Sequence, residues 1–310
     1  MIMILLAVTT GLLFSLLALG VFISYRIFDF PDLTVEGSFI TGASLTLVLI
    51  TGGMHPVLAT LLGTLGGTCA GAITGALHAA FSISRLLSGI IVMTALYTVN
   101  LYILGPGGTI IIMDASSLSG MAETAAQSLF SPGLQADLDA LHLFPKDIVI
   151  FFSLLVIVGL AVLFLRRFFA THVGLAIRAT GENDKMVRAM GINVNVVVVL
   201  GLALANTLAA LSGGLWAQVL SSVDMRSGSG MIVTGLTSVI LGQALFSRAR
   251  FRTQILGVVL GAVLIRLLIS LILMTGVPSE VDKLLQAAFL VLALVLPRTL
   301  QKRRAAQAVR

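Results

Sequence analysis

Charge is scarce in this chain of 310 residues: Asp, Glu, Lys and Arg make up 10% of it, against 58% hydrophobic residues. A soluble domain carries about 25% charged residues, so a soluble enzyme is excluded. The one cysteine, Cys69, excludes a disulfide framework and a thiolate metal cluster, and within its apolar run it reads as a small packing residue. His55, His78, His142 and His172 are scattered without ligand spacing and no H-E-x-x-H is present, which argues against metal catalysis. No GxxxxGK[ST] loop and no Gly-Lys pair occur, so ATP hydrolysis by that route is excluded. Gly228-Ser229-Gly230 resembles a nucleophile turn only superficially, because no His partner lies at its depth. There is also no dense array of intramembrane acids of the sort that drives a proton or sodium carrier.

What the chain has in quantity is uncharged apolar sequence, enough for about nine crossings of roughly 20 residues each. The spans are read at 1–24, 37–54, 56–80, 86–104, 147–165, 196–220, 231–246, 255–275 and 284–297. The first has no Lys or Arg before its apolar run and no small-residue cleavage site after it, so it reads as a retained span rather than a signal peptide. Nineteen Lys+Arg against thirteen Asp+Glu give a net charge of +6. In a soluble chain that excess would suggest nucleic acid, but here the cations sit in short clusters between apolar runs and read as topology signals. With the N-terminus outside and the C-terminus cytoplasmic, fifteen of the nineteen fall on the cytoplasmic side, leaving Lys146, Arg226 and Lys283 outside and Arg266 within a span.

Two connections stand out. The external loop at 105–146 is acidic, with Asp114, Glu123, Asp137 and Asp139 against Lys146; MAETAAQSLF reads as a short helix, Ser131-Pro132-Gly133 as a break and LQADLDALHLF as a further amphipathic stretch. Either the loop lies solvated on the bilayer surface or it is a docking platform for a soluble partner. The cytoplasmic loop at 166–195 mixes both charges, and between Gly181 and Gly191 it holds a short helix that Asn183 or Asp184 caps and Gly191 stops. Such a helix can act as a lever for a partner, and it can equally be a charged positive-inside loop with no mechanical role.

Glycine spacing gives the packing. Gly63, Gly67, Gly71 and Gly75 recur every four residues and bare one helix face, and Gly257 and Gly261 repeat the spacing; close helix approach is expected at both. GSFITGASLTLVLI from Gly37 and GSGMIVTGLTSVILG from Gly228 share a Gly-Ser start and the pairs Thr41-Gly42 and Thr234-Gly235, in opposite membrane orientation. Inverted units of this type place the transport path between discontinuous helices. The irregular segments entering them, YRIFDFPDLTVEG and SSVDMRSGSG, are therefore expected to line it, with Asp29, Asp32 and Glu36 in one and Asp224 in the other. Asn100, Asn206 and Gln243 within apolar spans serve either the path or interhelical bonding, and Arg266 near the middle of its span needs a cavity or an acid such as Glu36 or Asp224.

The order of a first span, YRIFDFPDLTVEGSFITGA, a glycine-rich span, a long external loop and a cytoplasmic GENDKMVRAMGINV resembles the permease subunits of bacterial ATP-binding-cassette (ABC) importers for branched-chain amino acids and ribose-type sugars. LTLVLITGGMHPVLATLLGTLGG with LLSGIIVMTALYTVNLYILG is most similar to single-permease systems for tryptophan- or tyrosine-like amino acids. Where branched-chain permeases usually carry an Asn-Phe-Ala-His-Gly-like string, Phe30-Pro31-Asp32-Leu33-Thr34 stands here. The resemblance implies an all-α polytopic protein, with 1–310 a single transmembrane permease domain in the bacterial inner membrane. It implies a homodimer over two ATPase subunits that hold the ATP and magnesium, so that this chain needs no cofactor of its own, and an extracytoplasmic binding protein received on the 105–146 side. Gly181, Glu182, Asn183, Asp184, Arg188 and Gly191 match the family's ATPase-coupling element. The path candidates are Asp29, Glu36, Thr41, Asn100, Asn206, Asp224, Thr234, Gln243 and Arg266. The rival expectations are a stand-alone secondary carrier or channel, an ABC importer for a sugar or nucleoside, and a polytopic membrane enzyme, for which no nucleophile or metal constellation is found.

Overall fold

A computed structural model describes residues 2–112, 117–130, 144–246, 251–278 and 281–308. It is built almost wholly of helices. The first, α1 (Ile2–Val21), passes without a break into a π-helical turn, Phe22–Ile27. Then follow α2 (Thr34–Thr51), α3 (Pro56–Phe81) and α4 (Arg85–Leu104). After β1 (Thr109–Ile111) come α5 (Leu118–Leu129), α6 (Pro145–Phe168), α7 (His172–Glu182), α8 (Asp184–Ala189) and α9 (Val194–Leu220). The chain closes with β2 (Ser222–Asp224), a 3-10 turn (Met225–Gly228), α10 (Met231–Leu245), α11 (Phe251–Leu273) and α12 (Asp282–Ala308).

Local chemistry sets most of these starts. Pro56 and Pro145 occupy first-turn positions, where the missing N–H costs nothing. Ser84 accepts from the Leu87 N–H and Asn193 from those of Asn195 and Val196, each relieving donors that the helix itself leaves unpaired. Gly230, at φ +86°, supplies the left-handed conformation from which α10 begins.

Among the described residues, eight helices are long and apolar enough to cross a membrane. The chain is a multi-pass membrane protein. The ninth expected span, 284–297, lies within α12, which runs on into the basic C-terminal sequence. The most apolar window of α2 is 72% buried inside the bundle and that of α4 only 22%, so α2 belongs to the centre and α4 to the periphery. α9 packs on α1, α2 and α3, and α1 packs in turn on α11.

The glycine faces explain the closest of these approaches. A Cβ at Gly71 would run into the Leu202 carbonyl oxygen, one at Gly75 would stand 2.7 Å from Val199 Cα, and one at Gly67 would meet Ala210, so the three seat α3 on α9; Gly63 faces Thr46 of α2. Gly257 lies against Phe246 and the Gly242 carbonyl, and Gly261 against the Ser238 carbonyl, which brings α11 onto α10. Such contacts let backbones approach where lipid gives helices no hydrophobic reason to associate.

Three features depart from the expectations. Cys69 lies on the exposed face of α3 rather than in the packing between helices, since Gly67 and Gly71 on either side of it turn toward α9 and carry it outward. The 105–146 segment holds, besides the α5 helix, a strand: Thr109, Ile110 and Ile111 pair antiparallel with Asp224, Val223 and Ser222. In the 166–195 loop, a second helix, α7, precedes the expected one and is capped by Thr171. Ser131-Pro132-Gly133 and the amphipathic stretch after it lie outside the described residues.

Candidate translocation pathway and coupling element

The segment between the π turn and α2 climbs into the bundle instead of lying beside it. Ile27 presents its carbonyl to Gly181 of α7, where a Cβ would have no room, and the Phe28 ring packs on Gly201 of α9. Asp32 is 1% exposed; its Oδ1 accepts from the Thr34 N–H at 2.9 Å and its Oδ2 from Asn206 Nδ2 at 2.7 Å. Asn206, near the middle of α9, also accepts from Ser38 Oγ at 2.7 Å, and Thr34 meets Thr74 of α3 at 2.8 Å. Buried polar groups in a low-dielectric interior are costly unless paired, and here one cluster ties the start of α2 to α3 and α9.

One turn further on, Glu36 reaches across to the other half of the molecule. Its Oε1 accepts from the backbone N–H of Gly230 at 3.0 Å and of Ile232 at 3.3 Å. The carboxylate of α2 thus caps the start of α10, where unpaired N–H groups and the helix dipole favour an anion. The two segments entering the Gly-Ser units meet at this point, since Gly228 packs on Ile40 and on the Glu36 carbonyl.

Two cavities flank the contact. One, of about 440 Å³, is walled by Glu36, Gly37, Ile40, Met93, Tyr97, Met225, Arg226, Gly228, Ser229 and Lys283. The other, of about 290 Å³, includes Thr10, Phe14, Trp216, Thr234, Arg266, Asp282 and Gln286, and shares Ser229 and Lys283 with the first. Apolar walls with a few convergent polar groups are what a small-solute site requires.

The segment expected to couple to the ATPase has its own geometry. Asn183 caps α8 by accepting from the Met186 N–H at 3.1 Å, Arg188 donates to Asn195 Oδ1 at 3.2 Å, and Gly191, at φ +81°, turns the chain back toward α9. Glu182 is exposed, while Asp184 and Arg188 border a cavity of about 240 Å³ with Phe28, His78, Arg85 and Thr180. The α7–α8 pair therefore touches both the π-turn segment and the foot of α9.

Comparison with known proteins places this architecture. Residues 3–294 match the family model described as branched-chain amino acid transport system, permease component. The chain belongs to this family. It is 35% identical to the tyrosine transport system permease protein of Clostridioides difficile over 91% of its own length and 87% of that protein. It is 28% identical to the uncharacterized protein RP368 of Rickettsia prowazekii over 77% and 76% of the two chains. Similarity to the ribose import permease protein RbsC of Escherichia coli is 30% over 40% and 38%. Membership makes it the permease component of an ABC-type import system, a transport subunit, and implies an ATPase and a binding protein as partners.

Within this permease the sequence candidates separate into groups. Glu36, with Gly228 and Ser229, borders the larger cavity, and Gly230, Thr234 and Arg266 border the smaller. Asn100 is bonded inside the bundle, accepting from Thr41 Oγ1 at 2.9 Å and donating to the Gly37 carbonyl at 3.1 Å, so Asn100 and Thr41 fasten α4 to α2. Asp29 lies by Arg85 at 3.9 Å, with its side chain 86% exposed, at the coupling end. Asp224 accepts from Thr109 Oγ1 at 3.1 Å and from the Arg226 N–H at 2.6 Å in the two-stranded ribbon. Neither borders the two central cavities. Gln243 has its Nε2 buried without a partner among the described residues.

Arg266 finds both a cavity and an acid, though the acid is not one of the two named from sequence. Its Nη1 stands 3.5 Å from Asp282 Oδ2, and the guanidinium lies 4.2 Å over the Phe14 ring, so its acid is neither Glu36 nor Asp224. Glu36 is committed to α10 and Asp224 to the ribbon, whereas Asp282, read from sequence as loop, is the first residue of α12 and faces inward. The spacing of Asp282 and Gln286, one helical turn apart, was the signal available for it.

Proposed function

We propose that this chain is the homodimeric permease of an inner-membrane ABC importer for an amino acid of the tyrosine type, delivered by a binding protein and moved by alternating access. The meeting of α2 and α10 at Glu36 carries the reading: two inverted helix entries touch beside a cavity, so rocking one half against the other opens or closes a path there. The N-terminus lies outside and the C-terminus in the cytoplasm. The 105–146 side receives the binding protein, and the α7–α8 pair, with Gly181, Glu182, Asn183, Asp184, Arg188 and Gly191, seats in the ATPase. Two ATPase copies supply the nucleotide and magnesium, and this chain carries no cofactor.

Similarity to a tyrosine permease over nearly the whole chain supports the amino acid. The shorter similarity to a ribose permease supports a sugar as the second reading. Isolating the partner binding protein with its endogenous ligand decides between them. An aromatic amino acid in the isolate is the expected result, and ribose or another sugar overturns the substrate assignment.

A further inference from the structure

The Arg266–Asp282 pair is built in an unusual way for a partly buried ion pair, with the Arg266 side chain 14% and the Asp282 side chain 30% exposed. Inside a membrane protein a guanidinium and a carboxylate gain most from two parallel hydrogen bonds, yet this pair makes a single contact at 3.5 Å. Arg266 Nε and Asp282 Oδ1 have no hydrogen-bond partner among the described residues. The carboxylate is nevertheless held in place: Gln286 Nε2 donates to Asp282 Oδ2 at 3.0 Å, and Thr234 Oγ1 donates to Gln286 Oε1. Phe14 braces the guanidinium from its other face. The pair is thus positioned but unclosed, at the wall of the 290 Å³ cavity.

We infer that this cavity is the head-group compartment for a zwitterionic α-amino acid, whose carboxylate engages Arg266 and whose ammonium engages Asp282. An α-amino acid carries both charges on one carbon, so it completes a half-made pair without leaving a net charge in the low-dielectric interior. A lone carboxylate or a lone amine satisfies one side only. The adjoining 440 Å³ cavity, which shares Ser229 and Lys283 with it, offers Ile40, Met93 and Tyr97 to the side chain, which suits an apolar or aromatic substituent. The inference rests on the amino-acid reading above and adds where and how the solute is held.

The molecule contains its own reporter, since its one tryptophan, Trp216, borders the head-group compartment. The full-length permease in lipid nanodiscs is titrated with L-tyrosine, with tyramine, which lacks the carboxylate, and with 3-(4-hydroxyphenyl)propionate, which lacks the ammonium, under tryptophan-selective excitation. L-Tyrosine is expected to give a saturable change, and each one-sided analogue to bind at least roughly tenfold more weakly, the usual scale for one charge-assisted hydrogen bond. Arg266→Gln and Asp282→Asn should each weaken L-tyrosine about tenfold while leaving tyramine or the propionate, respectively, little changed. Arg266→Lys serves as the folding control and should retain part of the response. Equal binding of all three ligands, or unaltered L-tyrosine binding in both variants, overturns the compartment while leaving amino-acid transport standing. A response to ribose with none to any amino acid overturns the underlying substrate assignment instead.

Discussion

Asp32 shows how much one side chain organises at this centre. It closes a chain of hydrogen bonds from the Thr34 backbone through Asn206 to Ser38, at the point where α2 begins. Asp32→Ala leaves the Thr34 N–H and one Asn206 Nδ2 hydrogen unpaired, Nδ2 keeping its bond to the Leu202 carbonyl, at about 1–3 kcal/mol for each buried donor left without an acceptor. Thermal unfolding in detergent should record a clear loss, and the double variant with Asn206→Ala should fall short of the sum of the single effects by more than about 0.5 kcal/mol; strict additivity would mean that the two do not act together. Gly181 is the second sensitive position. A Cβ there would overlap the Ile27 carbonyl oxygen, a backbone atom that cannot rotate away. Gly181→Ala should cost roughly 1–3 kcal/mol through displacement of α7. In the assembled transporter it should lower solute-stimulated ATPase activity more than assembly, and unchanged stimulation would separate α7 from the route of coupling.

At the scale of the element, Glu36 acts as an N-terminal cap delivered from a different helix. Glu36→Gln keeps an acceptor oxygen and should retain most transport, whereas Glu36→Ala removes the cap, costs about 1 kcal/mol and should impair uptake severely. Equal defects in the two would assign the role to charge instead of to the acceptor. For α8, Asn183→Ala should weaken the helix by about 1 kcal/mol and reduce the ATPase recovered with the permease, as measured by copurification. Much of this layout was legible in advance. The spans follow from long apolar runs, and the α8 helix from an Asn start and a Gly stop, because each is a local signal. The missed parts depend on distant partners. Three residues at Thr109–Ile111 carry too little pattern to announce a strand whose mate lies beyond residue 220. Asp282 sits among turn-forming residues before an apolar run, so its one local signal, Gln286 a helical turn later, is weak, and its direction is fixed by the packing of α12 on α10 and α11.

For the molecule as a whole, the notable relation is between the two ends of one segment. Residues 27–36 begin against α7, pass Asn206 at the middle of α9 and end at the start of α10, so the proposed coupling surface and the central contact share a single short piece of chain. That continuity suits a subunit in which a displacement at α7 is passed to the start of α10. The peripheral helices α4 and α6 expose broad apolar faces, with Ile90, Val99, Phe152 and Leu160 among them, which lipid or a second copy can cover. On this reading the permease moves solute only when a partner ATPase drives it. Uptake of L-tyrosine into proteoliposomes measures this most directly, with the binding protein present and the permease reconstituted either with the ATPase and ATP or alone. Concentrative uptake only in the complete, ATP-supplied vesicles is the predicted result, and accumulation against a gradient by the permease alone would contradict it.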